Sequence, residues 1–260
     1  MTRLRPVHFS ALKRMSLSAA HARYALEGGE QPQTVSLQLG SASHTLALGT
    51  GKRVITFEGT RRGKAWDAFR GENPDAIILN AREFAVASGM AKALHGCPEA
   101  MRYLEGEREV PLEWDYLGRR CATRGVDVIG GSLSCRAGIR FLTELKTTKC
   151  AKPEWFQHEV LRRDYATQLK FYEGGVGVDV PELVIVAVES AQPHPVVVFR
   201  VSDKLRLQAE KRLRLWMELL LTCEASGEWP GYAQSVIELD IANDAELDFT
   251  GVEEDDAIGF

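Results

Sequence analysis

The segments VDVIGG (126–131) and GIRFLTELKT (138–147) decide the fold class of this chain. In the second segment, apolar residues recur at alternate positions, which is typical of a β-strand. The first segment ends a predicted strand at two glycines, which favour a turn. If the two strands pair through this turn, Asp127 comes to lie beside Glu144. The two segments therefore predict a pair of carboxylates within one β-sheet.

The rest of the chain predicts further strands and helices around this pair. The predicted helices span 19–26, 81–104 (with a break near Gly96 and Pro98), 155–173 and 203–224, and the predicted strands span 52–58, 109–116, 119–130, 183–188 and 196–201. The helix predicted over 155–173 ends at Gly174 and Gly175. This order predicts an α/β (α+β) fold with a central mixed β-sheet flanked by helices. We expect one domain over 1–235, with a mainly helical part (1–115) and a catalytic core (116–235), followed by an acidic tail (236–260).

Composition excludes several classes of protein. The 260 residues are 45% hydrophobic and 26% charged, which is unlike a disordered chain. No run of about 18 apolar residues predicts a membrane-spanning helix, and the basic start lacks the apolar core of a secretory signal. The five cysteines form no C-x-x-C pair, so free thiols in a reducing cytoplasm are expected. We therefore expect a cytoplasmic protein with no membrane partner.

The net charge of −4 conceals an uneven distribution. The 46 residues after Arg214 contain 12 acidic residues and no Lys or Arg, so the first 214 residues have a net charge of +8. This asymmetry is typical of a nucleic-acid-binding body with an acidic tail. An ordinary domain with a solvated tail would have the same charge distribution.

The central candidate site consists of Asp127 with the run Glu144-Leu145-Lys146. Two carboxylates and the Leu145 carbonyl form an oxygen-rich site of the kind that Mg²⁺ or Mn²⁺ prefers. Lys146 shares a strand face with Glu144, where it can hold an attacking water or neutralise a phosphate oxygen. This arrangement favours metal-assisted hydrolysis of a phosphodiester. The alternative is a surface strand with charged residues on its solvent face.

Other polar residues extend this candidate site. Gln168 and Tyr172 lie four apart on one helix face, where they can orient the lysine or the DNA backbone. His44 follows four small residues, so its imidazole can either meet a metal or pack in the core. The residues expected to contact DNA phosphates are Arg61, Arg62, Lys64, Arg124, Thr147 and Lys149.

The ordered set Gly40-x-x-x-His44, Asp127, Glu144-Leu145-Lys146 and Gln168-x-x-x-Tyr172 resembles the PD-(D/E)XK nuclease superfamily. More narrowly, it resembles the RecE-like exonucleases of phages and prophages, which are related to the RecB nuclease domain and lambda exonuclease. The resemblance covers most of the chain and extends to SAAHARY (18–24), RRGKAWDAF (61–69) and WPGY (229–232). The chain departs from the family pattern before Asp127, where Val126 replaces the signature proline.

The resemblance implies a role for each matching residue. His44, Asp127, Glu144 and the Leu145 carbonyl would bind Mg²⁺ or Mn²⁺, and Lys146 would be the catalytic lysine. Gln168 and Tyr172 would line the active site and the DNA path. Glu113 matches an additional acid found before the Asp127 strand in related enzymes.

The resemblance also implies an activity and partners. The activity is 5′→3′ digestion of one strand of linear double-stranded DNA, by a homo-oligomeric ring (tetramer or trimer) around the DNA. The resulting 3′ overhang would pass to a RecT-like or Redβ-like annealing protein. Two alternatives remain open, namely a related nuclease with single-strand or endonucleolytic activity, and a DNA-binding module whose catalytic set is vestigial.

Overall fold

The computed structural model describes residues 5–29, 34–233 and 235–238. Most of the acidic tail predicted over 236–260 lies outside these residues. The described chain contains a five-stranded mixed sheet in the order β3-β4-β5-β6-β7, in which only β5 and β6 are parallel neighbours. Its strands are β3 (Glu107–Tyr116), β4 (Arg119–Gly130), β5 (Phe141–Thr148), β6 (Glu182–Glu189) and β7 (Val196–Arg200). The predicted mixed sheet is confirmed.

Helices cover both faces of this sheet, and a second sheet of two short parallel strands lies among them. The helices are α1 (Phe9–Leu12), α2 (Ala19–Leu26), α3 (Val35–Leu48), α4 (Lys64–Glu72), α5 (Ala81–His95), α6 (Pro98–Leu104), α7 (Pro153–Arg163), α8 (Tyr165–Val176) and α9 (Asp203–Ser226). The small sheet pairs β1 (Val54–Thr56) with β2 (Ile77–Leu79). No helix in the described part of the chain is long and apolar enough to cross a membrane.

The hydrophobic core has two main parts, one on each face of the large sheet. One part joins the sheet to the N-terminal helices and to α7, α8 and α9, through side chains such as Phe156, Leu169 and Trp216. The other joins it to α3, α5 and α6, through side chains such as Leu48, Met90 and Leu145. Burial of these apolar surfaces on both sides fixes the sheet between the two helical layers.

The predicted domain boundary at 115/116 lies within the sheet region. Strand β3, predicted over 109–116, lies mostly in the part predicted as mainly helical, and it pairs with β4 from Glu107 to Tyr116. Val7 also forms a bridge with Cys121 of β4. The N-terminal part and the predicted core therefore share one sheet.

The long helix predicted over 155–173 is two helices. The break falls at Asp164, whose φ of 58° and ψ of 34° are left-handed, a conformation that Asp tolerates better than most residues. Asp164 is buried and forms an ion pair with Arg212 of α9. The break therefore depends on a tertiary contact that the local helical pattern does not contain.

The predicted end of this helix at Gly174 and Gly175 is also displaced. Helix α8 continues through both glycines to Val176 and ends at Gly177, which adopts the left-handed C-cap conformation with φ 75°. A Cβ atom on Gly175 would come within 2.6 Å of the Trp114 ring. The absent side chain at Gly175 thus lets β3 and α8 pack closely.

Candidate active site

Asp127 lies where strands β4 and β5 separate. Their antiparallel pairing ends at Val128 opposite Thr143, and Asp127 and Glu144 are the next residues along each strand. Asp127 Oδ2 accepts a hydrogen bond from the Leu145 backbone N–H at 2.7 Å. The carboxylate therefore occupies the place of the next ladder partner, and the predicted neighbourhood of Asp127 and Glu144 is present.

Glu144, Lys146 and Gln168 form one hydrogen-bonded network between β5 and α8. Glu144 Oε1 accepts from Lys146 Nζ at 2.7 Å and from Gln168 Nε2 at 2.6 Å. Gln168 Oε1 accepts from Lys146 Nζ at 3.3 Å, and Gln168 Nε2 also donates to the Tyr172 hydroxyl at 2.9 Å. The helix pair predicted at i,i+4 thus orients the lysine and the carboxylate together.

His44 of α3 reaches the same place from the other side of the sheet. Its Nε2 lies 2.6 Å from the Leu145 carbonyl oxygen, and its Nδ1 lies 3.7 Å from Asp127 Oδ1. Because a carbonyl only accepts, Nε2 must hold a hydrogen, and the neutral ring then has a lone pair on Nδ1. Burial and the charge of Lys146 lower the pKa of His44, which favours this neutral form.

The two carboxylates are poorly compensated. Burial raises the pKa of Asp127 to about 6, although Lys146 opposes this shift. Burial and the negative charge of Asp127 raise the pKa of Glu144 to about 7. At neutral pH the pair shares a single cation, so this buried cluster favours an additional positive charge.

Lys146 is held as a cation. Burial opposes its charge, but Glu144 and Asp127 outweigh that effect and raise the pKa of Lys146. Its Nζ also lies 4.7 Å from the centre of the Tyr165 ring, a cation–π contact. Lys146 is therefore protonated at neutral pH and acts as a fixed positive charge, not as a base.

The residues present fit a divalent cation in two respects. Glu144 Oε2 is buried and has no hydrogen-bond partner within the described structure, and the Nδ1 lone pair of His44 faces Asp127 Oδ1. Electron-rich atoms that face each other without a donor are typical of a cation site. Among the described residues, however, no three His, Cys, Asp or Glu side chains are grouped as a metal-ligand set. The predicted set of His44, Asp127, Glu144 and Leu145 stays a prediction.

Glu109 is a site residue that the sequence did not indicate. It lies on β3 with φ 47°, just before the register between β3 and β4 shifts. Its negative charge contributes to raising the pKa of both Asp127 and His44. A bulge that redirects one side chain is a common device beside active sites. The acid suggested by the resemblance, Glu113, instead forms a surface ion pair with Arg120.

Lys13 is a second site residue that the sequence did not indicate. Burial and the charges of Arg163 and Lys146 lower the pKa of Lys13 to about 8. The repulsion by Arg163 and Lys146 places Lys13 among the basic residues on the Lys146 side of the fold. No local motif marks this lysine, because its neighbours come from distant segments.

The predicted DNA-contacting residues lie on several different elements. Arg61 precedes α4 and bonds to Glu83 and to the Ile78 carbonyl, so it joins this segment to α5 and β2. Thr147 is half-buried close to Gly40 of α3. The remaining four are exposed, and they are Arg62, Lys64, Arg124 and Lys149. Their contacts with DNA stay predictions.

These features define a class of protein. A mixed sheet with Asp on one central strand and Glu-x-Lys on the next, backed by a Gln-x-x-x-Tyr helix, is the core of a PD-(D/E)XK nuclease. Residues 8–237 match the family model of the PDDEXK-like domain of unknown function (DUF3799), and the chain belongs to that family. Its membership of the PD-(D/E)XK nuclease superfamily, expected from the sequence, is confirmed.

A solved structure has the same fold. The crystal structure of a protein from Eubacterium rectale, described as a "Putative exonuclease", superimposes with a TM-score of 0.64. The two chains are 16% identical, and the match covers 91% of each. At this identity the similarity establishes the fold alone. No curated protein matches the sequence.

Proposed function

We propose that this protein is a divalent-metal-dependent exodeoxyribonuclease that degrades linear double-stranded DNA in the 5′→3′ direction and leaves 3′ single-stranded overhangs. The observation that carries the proposal is the pair formed by the buried Glu144 and the partly buried Asp127, which shares one cation, Lys146. A buried surplus of negative charge beside a fixed lysine is expected in a site for a metal ion and a phosphate. The nuclease class of the family supports this interpretation.

His44, Asp127 and Glu144 would hold the ion, together with the remaining lone pair of the Leu145 carbonyl. When bound, a divalent ion supplies positive charge to the scissile phosphate and lowers the pKa of a water ligand. Mg²⁺ and Mn²⁺ both suit a set dominated by oxygen with one imidazole.

Lys146 would stabilise the charge that develops on the phosphate in the transition state. It is positioned for this by three contacts, with Glu144, Gln168 and the Tyr165 ring. A charge held in place before the reaction needs no reorganisation during it, which is the main advantage of such a site. Gln168 keeps Lys146 and Glu144 in register, and Tyr172 fixes Gln168 in turn.

The direction of digestion and the partners belong to the same proposal. The motif order of RecE-like exonucleases supports 5′→3′ polarity, a tetrameric or trimeric ring, and transfer of the overhang to a RecT-like or Redβ-like annealing protein. The word exonuclease in the description of the Eubacterium rectale structure agrees with end-dependent cleavage. We propose that the enzyme works in the cytoplasm, in phage recombination.

The test uses the full chain on four DNA substrates, namely 5′-labelled linear duplex, 3′-labelled linear duplex, closed circular duplex and single strand. With Mg²⁺ we expect early release of the 5′ label, late release of the 3′ label and an intact circle. EDTA and Lys146→Ala should each abolish release. Cleavage of the circle or a preference for single strands would replace the proposal with a related nuclease. Binding without cleavage in Mg²⁺ and Mn²⁺ would indicate a vestigial site.

A further inference from the structure

The solvent face of α7 carries an exposed aromatic ring among basic residues. Trp155 is 67% exposed, although tryptophan is usually largely buried. His158 and Arg162 follow at i+3 and i+7, so the three side chains share one helix face, and all three residues are exposed. We call Trp155, His158 and Arg162 the α7 platform.

The α7 platform is rigidly attached beside the active site. The opposite face of α7 buries Phe156 and Val160 in the core. Glu159 joins this helix to the site, because it accepts from the Thr148 hydroxyl at 2.6 Å and from the Tyr165 hydroxyl at 3.3 Å. Tyr165 is the residue whose ring lies 4.7 Å from Lys146 Nζ. Two contacts thus separate α7 from the catalytic lysine.

The charge around the platform favours an anionic ligand. Four exposed basic residues lie on the platform or near it in the sequence, one of them being Arg162 itself, and the acids on the helix are Glu154 and the inward-facing Glu159. Glu154 Oε2 lies 3.8 Å from Lys152 Nζ. Because this ion pair is exposed to water, it is weak, and Lys152 still attracts an anionic ligand. The basic residues are Lys149, Lys152, Arg162 and Arg163. A ring with basic neighbours is the combination that binds unpaired nucleic acid.

We propose that the α7 platform binds the single-stranded DNA that leaves the active site, with one base stacked on Trp155 and the adjacent phosphates near Arg162 and Lys152. An intact duplex would gain little from the ring, because its bases are already stacked on each other. An unpaired base has a free face that the indole can cover. This inference rests on the proposed nuclease function and adds a second DNA-binding site to it.

The test measures equilibrium binding of fluorescent oligo(dT) and of a blunt duplex to the full chain in EDTA. Trp155→Ala should weaken oligo(dT) binding about tenfold, as expected for the loss of one stacked base, and should change duplex binding less than twofold. Trp155→Phe keeps a ring and should recover most of the affinity. Leu161→Ala is the matched control, since Leu161 is 49% exposed on α7 but lies about 120° around the helix from Trp155.

Equal oligo(dT) affinity for Trp155→Ala and the unchanged protein would overturn the inference. So would an altered oligomeric state of Trp155→Ala with unchanged oligo(dT) affinity, which would make this face a protein contact. Because the assay contains no metal and no turnover, its outcome is independent of cleavage. A protein that binds oligo(dT) through Trp155 but cuts no DNA would retain this inference and lose the proposed function.

Discussion

Two buried glutamates on the same side of the sheet differ in the number of cations that compensate their charge. Glu173 of α8 is 4% exposed and contacts two cations, Lys170 at 2.7 Å and Arg206 of α9, and it accepts from the Val180 backbone N–H. Glu144 of β5 is also 4% exposed, but it shares its one cation with a second carboxylate. Neither Glu144 Oε2 nor Glu173 Oε2 has a hydrogen-bond partner within the described structure, but Glu173 Oε2 lies 2.7 Å from Lys170 Nζ. The charge of Glu173 is therefore balanced by its own cations, whereas the Glu144 pair favours another positive charge.

This difference separates a structural charge cluster from a functional one. Both clusters contact α8, since Gln168 and Tyr172 face Glu144 while Lys170 and Glu173 face α9. Two lysines can therefore be compared directly, namely Lys146 of β5, which packs against α8, and Lys170 of α8 itself. Variants in the two clusters should therefore have opposite effects on activity and on stability.

The largest expected effect is on cleavage by the two lysine variants. Lys146→Ala should lower the single-turnover rate on linear duplex by about a hundredfold to a thousandfold, because a preorganised charge at the transition state is lost. Lys170→Ala should stay within about threefold of the unchanged protein. Both rates are measured with saturating enzyme at 25 °C, after circular dichroism has shown that each variant is folded. Similar losses in both variants would show that the two clusters do not differ in function.

The next effect is on stability. Glu173→Gln should lower the free energy of unfolding by about 3 kcal/mol, because it removes the buried counter-charge of the partly buried Arg206 and Lys170 and leaves Lys170 only the exposed Glu210. Urea unfolding at pH 8 in EDTA measures this loss, and Glu113→Gln, which removes only a surface pair, is the control and should change stability by under about 1 kcal/mol. An unchanged urea midpoint for Glu173→Gln would show that the Glu173 cluster does not stabilise the fold.

Asp127→Asn should instead raise the free energy of unfolding in the absence of metal. The folded-state pKa of Asp127 is raised to about 6, so the folded chain holds a proton that the unfolded chain loses near pH 4. This group therefore stabilises the fold less as the pH rises through 6. Asparagine avoids the buried charge and can accept from Leu145 N–H while donating to His44 Nδ1. We expect a gain of about 1–2 kcal/mol at pH 8 that disappears near pH 4, and a loss at pH 8 would contradict the account.

Much of the cluster around Glu144 could be predicted from the sequence. The strand-like stretch that ends at Gly130 and Gly131 predicted the bounds of β4, and alternation predicted β5 to within three residues. Pairing of these two strands through the turn between them then predicted that Asp127 and Glu144 meet. The spacing of Gln168 and Tyr172 placed both on one helix face. These are local relations, in which a short segment determines its own geometry.

The rest depends on contacts between distant segments. Glu109 adopts a left-handed backbone conformation just before the register shift between β3 and β4, and Tyr165 follows a helix break at Asp164, which pairs with Arg212 of α9. The charge of Arg61 predicts a contact with DNA, but it does not predict the pairing of Arg61 with Glu83. The pattern within one segment does not predict the contacts that distant segments make with it.

A smaller effect would sharpen the role of His44. His44→Ala should weaken the affinity for Mn²⁺ about tenfold, because one nitrogen ligand is lost and the Leu145 carbonyl loses its orienting donor. The measurement is calorimetric titration of the full chain, with His95→Ala as the control, since His95 bonds to the Ala47 carbonyl elsewhere on α3. A His44→Ala protein that unfolds, while His95→Ala remains folded, would make His44 a core residue and not a ligand.

The central claim is that the surplus negative charge of Asp127 and Glu144 is a divalent-metal site. Its most direct test is calorimetric titration of Mn²⁺ into the metal-free unchanged protein and into Asp127→Asn at pH 8. The unchanged protein should bind at least one ion per chain saturably, and Asp127→Asn should show no measurable binding. Equal binding by both proteins, or no binding by the unchanged protein, would contradict the central claim.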